Sequence, residues 1–193
     1  QGVQLASYSR EKRVRLALTE LGPTFIKLGQ LLSVRPDIVP PEYLRELTKL
    51  QDTVPPFSYE EVRQIFHEEL GKDPTELFTS FSSEPLAAAS ISQVHHARIV
   101  VYGQDGSQQE RRAVVKVQRP GLEKIISIDL EILARIAQLM EDHLQEVRGH
   151  RPTAIVQEFA RSLSREIDFT IELANIQHFA RQFAGCREIY VPE

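Results

Sequence analysis

Lys116 stands in the run AVVKVQ, between Val115 and Val117. Successive side chains of an extended chain alternate between faces, so this lysine points away from the two valines. A lysine presented from a strand in this way can neutralise the α- and β-phosphates of a nucleotide, although a solvated lysine on a half-exposed strand has the same pattern. Downstream, SREIDFTIELANIQHFARQF carries Asp168, Glu172 and Asn175 at steps of four and three. On one continuous helix they form a polar line roughly 100° from an apolar seam of Phe169, Leu173, Ile176, Ala180 and Phe183. A carboxylate at the edge of a buried seam can meet a lysine from a neighbouring sheet, and such a pair orders a nucleotide site. Glu172 is therefore the candidate partner of Lys116, with a solvated acidic face as the alternative.

Two further stretches have unusual chemistry. PLAAASISQVH precedes the lysine strand, where a phosphate-binding loop would lie, and places Ala87, Ala88, Ala89 and Ser90 in succession. Alanine permits close backbone approach but tolerates positive φ far less than glycine. Neither a GxGxxG nor a Walker sequence is present, which excludes a P-loop NTPase. In LGPTFIKLGQLLSVRPD, Lys27 and Gln30 are three apart and share a helix face. Gly29 between them costs a helix about 1 kcal/mol against alanine, which suggests close packing at that point. His95 and His96 are adjacent and, on a strand, face opposite sides; no acid or cysteine cluster joins them, so no metal site is predicted. Cys186, the single cysteine, excludes an internal disulfide and reads as a packing residue.

The elements that must position these groups follow from periodicity and punctuation. Residues 6–20 pattern as an amphipathic helix with Val14, Leu16, Leu18 and Leu21 on its apolar face. Pro23 opens a second helix running to about Arg35, and PPEYLRELTKLQD makes a third. Ser58-x-x-Glu61 caps a fourth that ends at Gly71, and DPTELF is one further turn. SQVHHARIVV and RAVVKVQ read as a β-hairpin. A long helix follows Pro120-Gly121, another stretch runs from Pro152 to about Phe183, and REIYVP reads as a terminal strand. The implied division is a helical part over 1–80 and a mixed α+β part over 81–193.

Apolar residues make up 41% of the 193 residues and charged residues 26%, as in ordinary globular proteins. The net charge of −4 gives no reason to expect nucleic acid. Residues 1–50 nevertheless hold 8 Lys/Arg against 5 Asp/Glu. The run REKRVR, Arg10 to Arg15, puts a basic face on the first helix, which suits either solvent or peripheral contact with an anionic membrane. No apolar run is long enough to span a bilayer. A start without methionine and an end at IYVPE predict that both ends belong to a longer polypeptide.

Taken together, LGPTFIKLGQLLSVRPD, LQDTVPPF, AAASISQVHHA, VVKVQRPG and EIDFTIELAN resemble, in order and over nearly the whole chain, the UbiB family of atypical kinase-like proteins (the ADCK group in eukaryotes). The resemblance implies a protein-kinase-like N-lobe, a small antiparallel sheet with long helices, preceded by a helical extension carrying a KxGQ motif. It implies binding of ATP or ADP with Mg, ATP hydrolysis, and support of ubiquinone or related prenylquinone synthesis at a membrane. Lys27 and Gln30 would then lie over the cleft and occupy the place of a protein substrate. Glu166 and Asp168 match the ExD motif, Glu172 the helix glutamate that pairs with Lys116, and Ala87 to Ser90 the alanine-rich loop. Ser92 departs from the glycine that relatives often carry in SIGQVH. The catalytic-loop Asp and Asn and the DFG Asp do not occur in these residues. The resemblance therefore assigns the Mg ligands to a following C-lobe and predicts no turnover from this stretch by itself. It also implies prenylquinone-pathway lipids or enzymes as partners, and a location on the cytoplasmic side of a bacterial membrane, or in a mitochondrion or plastid. A non-catalytic helical scaffold in a lipid-biosynthesis complex, or a conventional protein kinase, are the competing readings. The alanine loop and the KLGQ helix speak against the conventional kinase.

Overall fold

The computed structural model describes residues 8–51, 55–103 and 105–192. The chain divides into two units, the first ending at Asp129 and the second beginning at Leu130.

In the first unit, α1 (Arg10–Leu21) starts at Ser9, whose hydroxyl accepts the Lys12 N–H. Gly22, at φ 103°, separates it from α2 (Pro23–Leu32), which opens on a proline whose missing N–H costs nothing in a first turn. α3 (Pro41–Leu47) runs into a 3-10 turn, Thr48–Gln51. Ile26, Leu47 and Leu50 form a small core with Leu18, Leu32 and Val39 packed on it. Of the four residues expected on the apolar face of α1, Leu18 packs on this core, whereas Val14 and Leu21 are exposed. Arg15 Nε donates to Glu46 Oε2 at 3.0 Å and ties α1 to α3.

α4 (Tyr59–Leu70) has the expected capping box at Ser58 and Glu61 and ends at Gly71 in the left-handed region, φ 67°. Asp73 then caps the single turn α5 (Pro74–Leu77). Three strands follow: β1 (Ser80–Ala88), β2 (Ser92–Tyr102) and β3 (Gln108–Gln118), antiparallel and in that spatial order. The β2–β3 pair is the expected hairpin, in unbroken register from Ser92↔Gln118 to Tyr102↔Gln108. β1 is an addition to the sequence reading. One face of the sheet packs on α4: Phe57, Val62, Phe66 and Val117 are buried together, with Phe78, Phe81 and Val115 against them. Phe66 meets the rings of Phe78 and Phe81 edge-on, at 5.9 and 5.6 Å between centroids, the geometry that aromatic quadrupoles favour.

α6 (Leu122–His143) leads into the second unit. Glu141 near its end accepts both the N–H and the hydroxyl of Thr153, closing the connection to α7 (Pro152–Ile167). Phe159 and Leu163 of α7 are almost wholly buried. The helical stretch from Pro152 does not run unbroken to Phe183. It stops at Ile167, and α8 (Phe169–Gln182) restarts with Asp168 as its cap. None of the α8 side chains is buried, and Leu173 in the expected seam is 55% exposed. REIYVP is not a strand but turn and irregular chain. Cys186 is exposed, which corrects its reading as a packing residue. Among the described residues no helix is long and apolar enough to cross a membrane.

Candidate functional site

The sheet has two chemically different faces. Across the strands, Pro85, His95 and Val115 stand opposite one another, as do Ala88, Gln93 and Val117. These rows turn toward the α4 core. The alternate row is Ala87, Val94 and Lys116. Residues directly opposite in an antiparallel pair project to the same side. The alternation expected for VVKVQ is thus realised: Val115 and Val117 pack inward while Lys116 is exposed on the other face. The row offers two small or branched apolar side chains beside an ammonium.

The tip of this face is formed by the alanine-rich segment. Ala87 and Ala88 complete β1 rather than lying in a loop, so the turn itself is Ala89, Ser90 and Ile91. Ala89 N–H donates to Ser92 O at 2.7 Å and closes it. All three peptide units are trans. Ser90 and Ile91 are buried, as are Ser92 and Gln93 at the start of β2.

Beneath the turn lies a polar cluster that sequence reasoning missed as a structural device. Gln93, 1% exposed, accepts the Phe57 N–H with Oε1 at 3.0 Å and donates Nε2 to Phe57 O at 3.2 Å. His95 is fully buried, and its Nδ1 lies 2.8 Å from Ser82 O. A carbonyl only accepts, so Nδ1 carries the proton, and in the neutral ring Nε2 accepts from Gln93 Nε2 at 3.0 Å. Every partner in this cluster is satisfied, as burial requires. His96, one residue on, is exposed, as the alternation predicts. The available signal was Gln93 and His95, two apart on the face that Ala97 and Ile99 mark as inward.

α2 places Lys27 and Gln30 on one side, both half-buried. Gln30 Nε2 donates to Leu50 O at 3.0 Å, so this side chain anchors the end of the 3-10 turn. Gly29 between them is a point of close approach: an added Cβ would collide with Leu50 Cδ1 and stand 3.0 Å from Leu18 Cδ1.

In the second unit Glu166 is exposed near the end of α7. Asp168 is not part of a helical polar line with Glu172 and Asn175. Its backbone is extended (φ −88°, ψ 96°), and its carboxylate caps α8 by accepting the Thr170 N–H at 2.9 Å and hydroxyl at 2.6 Å. The Thr170 hydroxyl and N–H hold the Asp168 carboxyl below the usual carboxylate range. Glu172 lies in the first turn of α8 and is exposed. Among the described residues no group of three or more His, Cys, Asp or Glu stands close enough to hold a metal ion.

An open sheet face carrying one in-register lysine beside a small-residue turn, preceded by a helical segment, defines a kinase-like N-lobe. Comparison with known proteins agrees. Residues 49–193 match the ABC1 atypical kinase-like domain, and the chain belongs to that family. A protein of Synechocystis sp. described as uncharacterised is 47% identical over 94% of this chain, which spans 30% of it. A protein of Cellvibrio japonicus named "Probable protein kinase UbiB" is 42% identical over 96% of this chain, which spans 32% of it. The chain thus spans about a third of the length of these relatives. A solved structure of an Rv3197–erythromycin complex from Mycobacterium tuberculosis superposes with a TM-score of 0.55 at 32% identity, covering 92% of this chain and 43% of its own.

Proposed function

We propose that the Ala87–Val94–Lys116 face binds ATP or ADP with Mg, in a UbiB-type ATPase that supports ubiquinone or a related prenylquinone pathway. The observation that carries this reading is the register that sets Lys116 level with Ala87 across Val94, on the face turned from the core. The ammonium supplies charge for phosphate oxygens, and the small apolar neighbours leave room for a flat ring. The donor set therefore fits a nucleotide, whose contribution when bound is a transferable phosphoryl group. In this reading Mg arrives with the phosphates. Lys27 and Gln30 of the KxGQ segment restrict what reaches the nucleotide. The UbiB names of the relatives support the pathway, with prenylquinone lipids or their enzymes as partners. The basic face of α1 suits peripheral contact with the cytoplasmic side of a bacterial membrane, or an organelle membrane.

Lys116→Ala tests the reading in the intact protein. Nucleotide affinity, measured by calorimetric titration with Mg-ATP, should fall by about tenfold or more, the scale of losing a charge-assisted contact, and ATPase activity should fall with it. Unchanged affinity and turnover would remove Lys116 from the site.

A further inference from the structure

Arg119, one residue beyond β3, joins two segments that are distant in sequence. Its Nε donates to Ser90 O at 3.3 Å, and its Nη2 donates to Pro55 O at 2.9 Å and to Ala89 O at 3.4 Å. The guanidinium lies 5.3 Å from the centre of the Phe57 ring, and the Arg119 N–H donates to Ile91 O at 2.9 Å. The planar fork thus reaches the alanine-rich turn on one side and, on the other, the Pro55–Phe57 segment that leads from the KxGQ helices into α4. Gln93 clasps Phe57 from the neighbouring strand. Burial pulls the Arg119 guanidinium below its ordinary value, with the Glu61 carboxylate opposing. A positive charge is retained there although its hydrogen-bond acceptors are neutral carbonyls.

The consequence follows from peptide geometry. In a trans peptide the N–H points opposite to the carbonyl of the preceding residue. With the Ala89 and Ser90 carbonyls held toward the guanidinium, the N–H groups of Ser90 and Ile91 are aimed away from it. Successive main-chain N–H groups turned to one side make an anion seat. Ala89 N–H is already used by Ser92 O, so the Ser90 and Ile91 amides are the donors whose direction Arg119 sets.

The geometry points to Arg119 as a positioning residue that orients the Ser90 and Ile91 amides toward a nucleotide phosphate and links that orientation to the seating of the Pro55–Phe57 segment. This inference rests on the nucleotide reading above. Phosphate binding and docking of the helical extension are then coupled through one side chain, and binding at the turn tightens the extension's connection while loosening of that connection weakens binding.

The test uses Arg119→Lys and Arg119→Met in the intact protein, with wild type and Lys116→Ala alongside. Lysine keeps the charge and the stem but cannot hold three carbonyls with a planar fork. Mg-ATP affinity is read by calorimetry, and hydrogen exchange is read at Phe57, Ser90 and Ile91 with and without nucleotide. In wild type, nucleotide should slow exchange at Phe57 as well as at the turn. In Arg119→Lys, at unchanged Tm, affinity should drop by about tenfold, the scale of misdirecting one or two hydrogen bonds, and the protection of Phe57 by nucleotide should vanish. Wild-type affinity in Arg119→Lys, or retained nucleotide protection of Phe57, overturns the inference while the Lys116 result leaves the nucleotide reading standing. Failure of wild type to bind Mg-ATP overturns both. If Arg119→Met does not fold, Arg119→Lys alone decides.

Discussion

Gly29 shows how much a single missing methyl group can set. α2 approaches the 3-10 turn so closely that the position has no room for a Cβ beside Leu50 and Leu18, and Leu50 itself is 6% exposed in the small helical core. Forcing atoms into a packed site costs about 1–3 kcal/mol, and alanine would recover about 1 kcal/mol of that through helix propensity. Gly29→Val has two extra methyl groups and little propensity to recover, so it should destabilise the protein by about 2–3 kcal/mol in urea unfolding. Gly29→Ala should cost clearly less. A valine variant as stable as wild type would show that α2 can move away from Leu50. The same packing places Gln30 against Leu50 O, so the KxGQ helix is fixed to its neighbours at Gly29 and Gln30, two and three residues beyond Lys27.

At the level of elements, caps and alternation were legible and partnerships were not. The Ser58 and Gly71 boundaries of α4 followed from side chains that satisfy helix ends locally, and the β2–β3 alternation followed from a period of two. β1 stayed hidden because SFSSEPLAA lacks β-branched residues and its ladder is broken by shifts between Phe81 and Pro85 and between Pro85 and Ala87. REIYVP alternates in sequence, but alternation does not supply a neighbouring strand. The break at Asp168 was masked by a 3.6-residue pattern that continues through it; the Asp168-x-Thr170 pairing was its signal. Arg119 and Gln93 were invisible as a pair because both act on backbone groups of residues far away in sequence. Capping also makes a pH prediction. Asp73 joins α4 to α5 by accepting from Thr75 N–H, the Thr75 hydroxyl and Arg63 Nε, and these bonds lower its carboxyl from 3.8 to about 2. A carboxylate depressed in the folded state stabilises above its unfolded value and loses that contribution as pH falls through the folded one. Asp73→Ala should therefore lower Tm at pH 7, and the gap to wild type should narrow from about pH 4 and close near pH 2. A gap that persists undiminished at pH 2 would mean the cap does not depend on the charged form.

Over the whole molecule the charge is unevenly placed, and this bears on where the protein works. The first 50 residues carry a net +3 within a chain of net −4. α1 has no buried residues; it leaves Val14 and Leu21 exposed and carries Arg10, Lys12 and Arg13. Arg15 is committed to Glu46, so Arg10, Arg13 and Lys12, whose ammonium lies 3.7 Å from the centre of the Tyr8 ring, are the α1 cations not paired with Glu46 that can face an anionic surface. Each Lys or Arg near such a surface contributes about 1 kcal/mol, screened within a Debye length; three give about 3 kcal/mol, or roughly a hundredfold in partitioning. Against this, the remaining residues carry a net −7, and their repulsion grows as salt falls. If the cationic helix lies nearest the bilayer, its short-range attraction wins, because distant acidic groups are screened more strongly than contacting basic ones. The intact protein should then co-sediment with vesicles containing phosphatidylglycerol at low salt and release at about 1 M salt, where the screening length is about 3 Å. It should pellet little with phosphatidylcholine alone, and a triple Arg10→Gln, Lys12→Gln, Arg13→Gln variant should lose most of its binding while retaining its Tm. Equal sedimentation of wild type and this variant would show that α1 is not the membrane-facing element, and that its basic face serves solvent alone.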